Sequence, residues 1–362
     1  MSHIDQSRNR PERLAWVDFA KGLCIVAVVA LWVSRAMEGS SGWVGYFVAF
    51  AKPFRMPDFF LISGLFLSQV IARPWRSYLD TKVVHYLYFL VLWTLLIVPG
   101  SWLINGAMPA TALEAVGDLA FHLYKPAAML WFILMLPVYF VVARLLKGVP
   151  DVIVLAVAAL MMIFPLHSGI YPLDWFGEYF VFFFAGHMLA ERFFQLADWA
   201  RAHPRLAVLA IVVWAAGNAV LVKIKLSDHL AVSLVLGFIG ISALVMLAAL
   251  ISRAPAARWL NYLGKNSIVV YLGFYLPLLW LTEYSRLLPL GVHGRATFLL
   301  AGSIAAALLL HWGARRAGLH FLYERPDWAR LTGGPNGRGR PASAPAPAAT
   351  LNPQGTQGGL RG

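Results

Sequence analysis

Long apolar stretches, separated by short polar connections, alternate along almost the whole chain. Windows of about 20 mostly apolar residues, the length that an α-helix needs to cross a bilayer, recur about ten times. The predicted spanning helices are 17–37, 43–71, 83–104, 127–146, 152–168, 173–194, 205–224, 230–251, 262–282 and 296–314. The pattern therefore predicts an all-α, polytopic integral membrane bundle of about ten transmembrane helices.

The composition agrees with a membrane protein. The 362 residues are 60% hydrophobic and 13% charged, whereas soluble domains carry about 25% charged residues. The one cysteine, Cys24, excludes an internal disulfide and a cysteine-rich metal site, so no metal is expected. No small-residue cleavage site follows the first apolar run, which predicts an uncleaved first span.

Lysine and arginine are distributed unevenly between the two ends of the predicted helices. The net charge is +13, and of the 30 basic residues 21 lie in connections on one side and six on the other. Because cytoplasmic connections are enriched in Lys and Arg, this bias predicts cytoplasmic N- and C-termini and a multi-pass protein of the cell (inner) membrane. Topology and membrane lipids thus explain the charge, and nucleic acid is not an expected partner.

The polar ends of the chain divide it into three predicted regions. These are a cytoplasmic N-terminal segment, 1–14, a membrane domain, 15–330, and a Pro/Gly/Ala-rich tail, 331–362. The tail is predicted to be disordered because it contains too little apolar surface to offset the entropy of ordering. The chain has no GxGxxG, P-loop, HExxH or CxxC motif, so dinucleotide-binding and zincin folds have no support.

Several ionisable residues lie in or against the first two apolar segments: Asp18, Lys21, Lys52, Arg55 and Asp58. A charge at mid-bilayer costs at least about 2.5–3.5 kcal/mol, so such groups pair, face water or serve function. Asp18 with Lys21, and Arg55 with Asp58, have the i,i+3 spacing of neighbours on a helix. They form either two local ion pairs or a shared polar cavity, and cations in a cavity suit an anionic ligand such as a phosphate-bearing acyl donor.

Three sequence blocks carry a family resemblance: WVDFAKGLCIVAVVALW at 16–32, PFRMPDFFLISGLFL at 53–67 and LGKNSIVVYLGFYLP at 263–277. Over roughly residues 10–330 the chain resembles the membrane-bound acyltransferase family 3, and within it the fucose 4-O-acetylase-like branch. The resemblance implies transfer of a small acyl group, with acetyl as the expected group, to a hydroxyl of a sugar, glycan or glycolipid. It implies no bound cofactor, with acetyl-CoA or another acyl-CoA as the donor substrate.

The chain departs from the family pattern at the residues that carry proton transfer. Trp32 stands where the family has its first-helix histidine, and Phe274 stands where it has the ninth-span histidine. The paired arginines of the family are replaced by Lys82 and His85 in KVVH. A hydroxyl is a poor nucleophile near neutral pH without a base, and the indole of Trp32 donates a proton but accepts none.

The resemblance then assigns roles to particular residues. The donor-binding cations are Lys21, Lys52, Arg55 and Lys82; the supporting residues are Asp58, Ser63, Ser267 and Tyr271; the catalytic candidates are His85, as a substitute base, and Asp18. Two further histidines, His187 and His311, have ordinary structural explanations at a helix contact and at the membrane interface.

Two other functional classes stay open. A family member that has lost catalysis would bind or move a polar lipid or glycan, or support a partner enzyme, and the bulk of Trp32 and Phe274 fits this hypothesis. A secondary transporter is disfavoured because the sequence lacks an inverted repeat. The sequence assigns no oligomeric state.

Overall fold

The computed structural model describes residues 10–38 and 40–331, with side chains from Ala15 onward. Within these residues the chain is helical and forms no β-strand, which confirms the all-α prediction. Most of the predicted N-terminal segment 1–14 and nearly all of the predicted tail 331–362 lie outside the described residues.

Fifteen α-helices follow one another along the described residues. The first eight are α1 (Arg10–Ala36), α2 (Trp43–Leu65), α3 (Trp75–Leu79), α4 (His85–Asn105), α5 (Ala112–Tyr124), α6 (Trp131–Leu145), α7 (Asp151–Ile163) and α8 (Tyr171–Met188). The other seven are α9 (Ala190–Ala202), α10 (Pro204–Lys223), α11 (Leu230–Ile251), α12 (Arg258–Lys265), α13 (Ser267–Gly273), α14 (Tyr275–Ser285) and α15 (Val292–Arg316).

The prediction of about ten spanning helices is not confirmed. Among the described residues, five helical stretches are long and apolar enough to cross a membrane: 15–36, 75–105, 204–223, 230–251 and 292–316. A sixth is counted if α13 and α14, which meet at a bend of 54°, form one broken span. The predicted spans 127–146 and 152–168 are shorter apolar helices, α6 and α7.

Helix α2 lies at the centre of the bundle. Nearly every side chain from Pro53 to Leu65 is buried, and α2 packs against α1, α8 and α11. Its two internal prolines, Pro53 and Pro57, remove backbone hydrogen bonds, which a helix tolerates when neighbouring helices surround it. This helix carries Arg55, Asp58 and Ser63 of the predicted site into the protein interior.

A glycine pair lets α2 and α8 cross in backbone contact. A Cβ atom on Gly64 would overlap the carbonyl oxygen of Phe183, and one on Gly186 would overlap that of Leu61. This mutual arrangement is the close packing that small residues permit between membrane helices. Ser63 immediately precedes Gly64 on α2.

A second glycine pair brings α1 against α12. A Cβ on Gly22 would overlap the carbonyl oxygen of Leu260, and one on Gly264 would overlap that of Asp18. Lys21 immediately precedes the first of these glycines, and Ser267 follows the second by three residues. The crossing therefore brings together residues from the two ends of the chain.

A turn of π-helix, Asp80–Val84, joins α3 to α4 without a break. Single π turns inside α-helices are rare and occur frequently at functional sites. This one contains Lys82 and ends directly before His85. The π turn could not be predicted from the sequence, because it differs from an α turn in backbone bonding and not in composition.

Candidate active site

A cavity of about 170 Å³ lies between α1, α2, α4, α6 and α13. Its polar lining consists of Lys21, Ser63, Tyr86, Ser267 and Tyr271. The rest of its wall is apolar and includes Phe59, Ile62, Phe132, Ile133, Leu136 and Ile268. The structure thus brings together four residues that the sequence analysis assigned to one site, from three separate blocks of the chain.

Lys21 is the cation of this cavity. The charges of Asp18 and Asp58 both act on its ammonium group, and Asp18 is also close enough to interact with Lys265. Within the part of the chain that the structure describes, neither carboxylate forms a direct ion pair with Lys21. Of the two alternatives, the local ion pair of Asp18 with Lys21 is therefore not formed, and the charges of both carboxylates act on the ammonium beside the cavity.

Asp58 has a different partner from the one that its spacing indicated. The Cys24 thiol donates a hydrogen bond to Asp58 Oδ2 at 2.8 Å, and both side chains are buried. The other carboxylate oxygen, Oδ1, has no hydrogen-bond partner in the structure. Of the two alternatives that the spacing left open, a local ion pair of Arg55 with Asp58 is not formed, because the two side chains contact different neighbours.

Arg55 is directed away from the Lys21 cavity. Its guanidinium Nη1 donates to the Val48 carbonyl at 3.5 Å, while Nε has no acceptor. The side chain lines a second cavity, of about 100 Å³, together with Cys24 and Trp214. We call this the Cys24 cavity and the first one the Lys21 cavity.

Lys52 does not join the other predicted donor-binding cations. Its ammonium forms an exposed ion pair with Asp228 at 2.5 Å, in the 3₁₀ turn between α10 and α11. The Lys52 hydrogen bond and charge hold the pKa of the Asp228 carboxyl below its ordinary value. The structure therefore places Lys52 near the middle of α2, about three helical turns from Ser63, which corrects its expected place beside Lys21.

Lys82 lies near the Lys21 cavity but is not part of its lining. The Lys82 ammonium is 4.6 Å from the centre of the Phe140 ring, a favourable cation–π distance. The positive charges of Lys21 and Arg73 act on it. Lys21, Arg73 and Lys82 thus form a basic surface at one end of the bundle.

His85, the expected substitute base, is outside the lining of the Lys21 cavity. Its ring contacts those of Tyr86 and Phe89, with centroids 5.4 Å and 5.1 Å away. The neighbouring Tyr86 takes the place in the cavity wall. Consecutive side chains on an α-helix point about 100° apart, so His85 and Tyr86 face different directions on α4. The sequence alone did not determine which of the two faces the cavity.

A buried ion pair holds the segment after the last helix against the π turn. Arg325 Nη2 lies 2.9 Å from Asp80 Oδ2, with both side chains almost fully buried. Arg325 also donates to the Asp80 carbonyl, and the Leu331 amide donates to Asp80 Oδ1. The pairing of Asp80 was not predicted, because nothing near this residue in the chain identifies a partner so far away.

Trp32 is packed among aromatic and basic groups. Its ring meets Tyr275 edge to face at 5.2 Å, and the Arg35 guanidinium lies 4.8 Å from the ring centre. Phe274 is fully buried. Among the described residues, no cluster of three or more His, Cys, Asp or Glu side chains could hold a metal ion.

Comparisons with known proteins agree with the resemblance read from the sequence. A family model described as "Acyltransferase domain" matches residues 14–312. The chain is also similar to the inner membrane protein YcfT of Escherichia coli (strain K12), with 26% identity over 189 residues, which cover 45% of this chain and 51% of that protein. The chain thus spans about half the length of the curated relative it matches, and no solved structure matches it.

Proposed function

Because this chain belongs to the acyltransferase domain family, we propose that it is a membrane O-acyltransferase of the inner membrane. It would move a small acyl group, with acetyl as the expected case, from an acyl-CoA to a hydroxyl of a sugar or glycan. The observation that carries this proposal is the Lys21 cavity, where residues from three family-like blocks converge. The fucose 4-O-acetylase-like branch is a finer part of the same proposal.

The donor would enter from the basic surface of Lys21, Arg73 and Lys82. An acyl-CoA carries several phosphate charges, and lysine and arginine side chains bind phosphates through charge-assisted hydrogen bonds. The thioester end is less polar and fits the apolar wall of the Lys21 cavity, whose volume of about 170 Å³ favours a short acyl chain. The hydroxyls of Ser63 and Ser267 would line the path of the thioester.

The cation assignments follow from this geometry. Lys21 and Lys82 stay candidates for donor binding, because both act at the same end of the bundle. The positions of Lys52 beside Asp228 and of Arg55 in the Cys24 cavity argue against that role for these two residues. Asp18 would hold the Lys21 ammonium in place, and Tyr271, which donates to the Met129 carbonyl, would support the cavity wall.

His85 remains a proposed base whose position argues for an indirect role. Its ring is separated from the Lys21 cavity by one position on α4, and a base must lie within hydrogen-bond reach of the proton that it accepts. His85→Ala therefore tests it directly. Loss of turnover with unchanged donor affinity would support a base, and unchanged turnover would exclude one.

The experiment that tests the proposed function uses the purified full chain in nanodiscs with acetyl-CoA. We expect slow release of free CoA by the wild-type protein, measured by chromatography. Lys21→Ala should raise the KM for acetyl-CoA about tenfold or more, because a hydrogen bond to a charged group contributes about 1.5–3 kcal/mol. Lys21→Arg, which keeps the charge, should retain part of the affinity.

Arg286→Ala is the matched control, since Arg286 is an exposed cation that pairs with Glu283 away from the cavity. Its KM should equal that of the wild type. Equal KM values for Lys21→Ala and the wild type would contradict the assignment of Lys21. Acetyl-CoA binding that depends on Lys21 but gives no CoA release would instead favour a binding protein that has lost catalysis, the function suggested by Trp32.

A further inference from the structure

We propose that Trp75 is a stacking platform for the adenine base of the CoA donor, beside cations that bind the phosphates of the same ligand. This inference rests on the proposed acyl transfer and concerns the part of the donor that lies outside the Lys21 cavity. The cavity suits the acyl end, because its wall is mostly apolar. The nucleotide end of CoA therefore needs a separate surface.

Trp75 is the first residue of α3, and it is held in place on one side only. The Arg144 guanidinium, from the last turn of α6, lies 4.3 Å from the centre of the Trp75 ring and 4.5 Å from that of Tyr78. The Trp75 and Tyr78 rings meet edge to face, with centroids 6.1 Å apart. Tyr78 is fully buried and donates to the Phe140 carbonyl at 2.7 Å. The indole is thus fixed by a cation and an anchored ring, yet it stays 44% exposed.

An exposed indole that is held in one orientation suits a flat aromatic ligand. A nucleobase that stacks on an aromatic side chain gains about 5- to 150-fold in affinity. Because Arg144 and Tyr78 already fix the Trp75 ring, little side-chain freedom is lost when the base binds. Adenine is the one aromatic group of acetyl-CoA, so adenine is the part of the donor that this surface would bind.

Three cations lie near Trp75. Arg73 and Arg76 are exposed and lie within two residues of it in the chain. Lys82 is a neighbour of Arg73, whose charge acts on the Lys82 ammonium. Within the described part of the chain, no carboxylate forms an ion pair with any of the three. CoA carries phosphates on both sides of its ribose, and arginine and lysine bind phosphate oxygens through charge-assisted hydrogen bonds.

A series of ring contacts connects Trp75 to the wall of the Lys21 cavity. Tyr86 lines that cavity, and its ring stacks on Phe140 with centroids 6.1 Å apart. The Phe140 ring is 6.4 Å from that of Tyr78, which is 6.1 Å from that of Trp75. An extended pantetheine arm is long enough to cover these three steps. Adenine on Trp75 is therefore compatible with a thioester inside the cavity.

A tryptophan of the membrane interface is the competing explanation, because such residues are common where a span begins and 75–105 is a candidate span. Trp312 offers a comparison within the chain, since it is 56% exposed and the Arg316 guanidinium lies 4.3 Å from its ring centre. A cation on an exposed indole therefore does not identify a ligand by itself. The ring contacts that lead from Trp75 to the Lys21 cavity favour the donor.

The test compares the binding of labelled CoA with that of labelled phosphopantetheine, which lacks the adenosine part, to the full chain in nanodiscs. Equilibrium dialysis gives both dissociation constants without requiring turnover. Trp75→Ala should weaken CoA binding about 5- to 150-fold, the range of a lost base stack. It should leave phosphopantetheine binding unchanged. Trp75→Phe, which keeps an aromatic ring, should retain part of the affinity for CoA.

Trp312→Ala is the matched control, because it removes an exposed indole that also carries an arginine on its ring. It should bind both ligands as the wild type does. Adenosine 3′,5′-bisphosphate, which supplies the base without the pantetheine arm, should compete with labelled CoA on the wild-type protein. On Trp75→Ala this competitor should be weaker by about the same factor as CoA.

The possible results separate this inference from the proposed function. Wild-type CoA affinity in Trp75→Ala, or an equal loss for CoA and phosphopantetheine, would overturn the adenine platform and leave the proposed donor intact. Absence of competition by adenosine 3′,5′-bisphosphate on the wild type would also overturn it, whether or not Trp75→Ala folds. Failure of the folded wild type to bind CoA would overturn both. Loss of CoA affinity alone in Trp75→Ala, with Trp312→Ala unaffected, would establish the platform.

Discussion

Trp32 shows how one residue changes the chemistry that a helix can support. The indole packs against Tyr275 and Arg35, so it takes part in a contact between α1 and α14. The indole stabilises this contact, but it donates a proton and accepts none, so it cannot act as a base. The functional question at this position is therefore whether chemistry has moved elsewhere on α1 or has been lost.

Introducing a histidine at position 32 tests whether a base at this position limits acyl transfer. Trp32→His should raise the rate of acetyl-CoA turnover, because a neutral imidazole accepts a proton and a general base contributes about 10²–10⁴ in rate. The nearby Arg35 charge favours the neutral ring. Loss of the aromatic contact with Tyr275 should lower stability by about 0.5–1.5 kcal/mol.

Trp32→Phe is the control for this substitution, since it keeps an aromatic ring and has no proton acceptor. CoA release by the wild type and both variants, at equal protein concentration, is the measurement. Equal rates in Trp32→His and Trp32→Phe would show that proton acceptance at this position is not limiting.

Site residues were predictable from the sequence where they belong to a motif. Their bonding partners were not predictable, because tertiary packing determines them. Lys21, Ser63, Ser267 and Tyr271 were expected in one site and line one cavity. The partner of Asp58 was expected at i−3 and is Cys24, on another helix. Spacing along a helix indicates which side chains are near one another, but the neighbouring helices decide which of them bond.

Helix crossings are the element-scale feature that sets how closely α2 packs in the bundle. The α2–α8 crossing depends on Gly64 and Gly186, whose missing Cβ atoms leave room for backbone carbonyls. Backbone atoms cannot move aside as a flexible side chain can. Close packing of α2 against α8 therefore depends on glycine at both positions.

Gly186→Ala should lower the unfolding free energy by about 1–3 kcal/mol, the usual cost of overpacking. Gly217→Ala is the matched control, because Gly217 lies within α10 with open space around it. In that helix alanine should be neutral or stabilising by up to about 1 kcal/mol. Thermal unfolding in detergent compares the two, and equal shifts would contradict a backbone contact at Gly186.

Elements were predictable where they were long and uniformly apolar. The stretches 17–37, 83–104, 205–224, 230–251 and 296–314 each correspond to a helix that meets the requirements for a span. Helix α5, with the capping residues Thr111 and Glu114, was not expected. It has the capping-box spacing, which a search for apolar windows alone overlooks.

At the scale of the whole molecule, the segment after the last helix is tied to the site. Arg325 pairs with Asp80, and the Phe321 and Leu322 carbonyls accept hydrogen bonds from Tyr88 and Trp93 of α4. These contacts connect the end of the described chain to the π turn that carries Lys82. The arrangement makes the post-membrane segment a structural support for the basic surface.

Arg325→Met should therefore destabilise the protein strongly. Removing one partner of a buried ion pair typically costs about 3–5 kcal/mol. Arg286→Met, which disrupts the exposed pair with Glu283, should cost about 0–1 kcal/mol. Unfolding free energies in detergent provide the comparison, and similar losses in the two variants would argue against a supporting role for Arg325.

The overall class of the protein followed from composition and pattern, while its internal geometry did not. Apolar content and the three sequence blocks were sufficient for an all-α membrane protein of an acyltransferase family. The broken pair α13–α14 and the π turn were not predictable, because both depend on backbone bonding that tertiary packing selects.

The α1–α12 crossing also has a consequence for how the protein is made. The ribosome completes α1 on the order of tens of seconds before α12, and only then can Gly22 meet Gly264. During that interval the first helix resides in the membrane with Asp18 and Lys21 uncovered by their eventual neighbour. Until α12 is made, this face of α1 lacks its partner and can be recognised by cellular quality control. Asp18 and Lys21, which are proposed to act in acyl transfer, lie on that face.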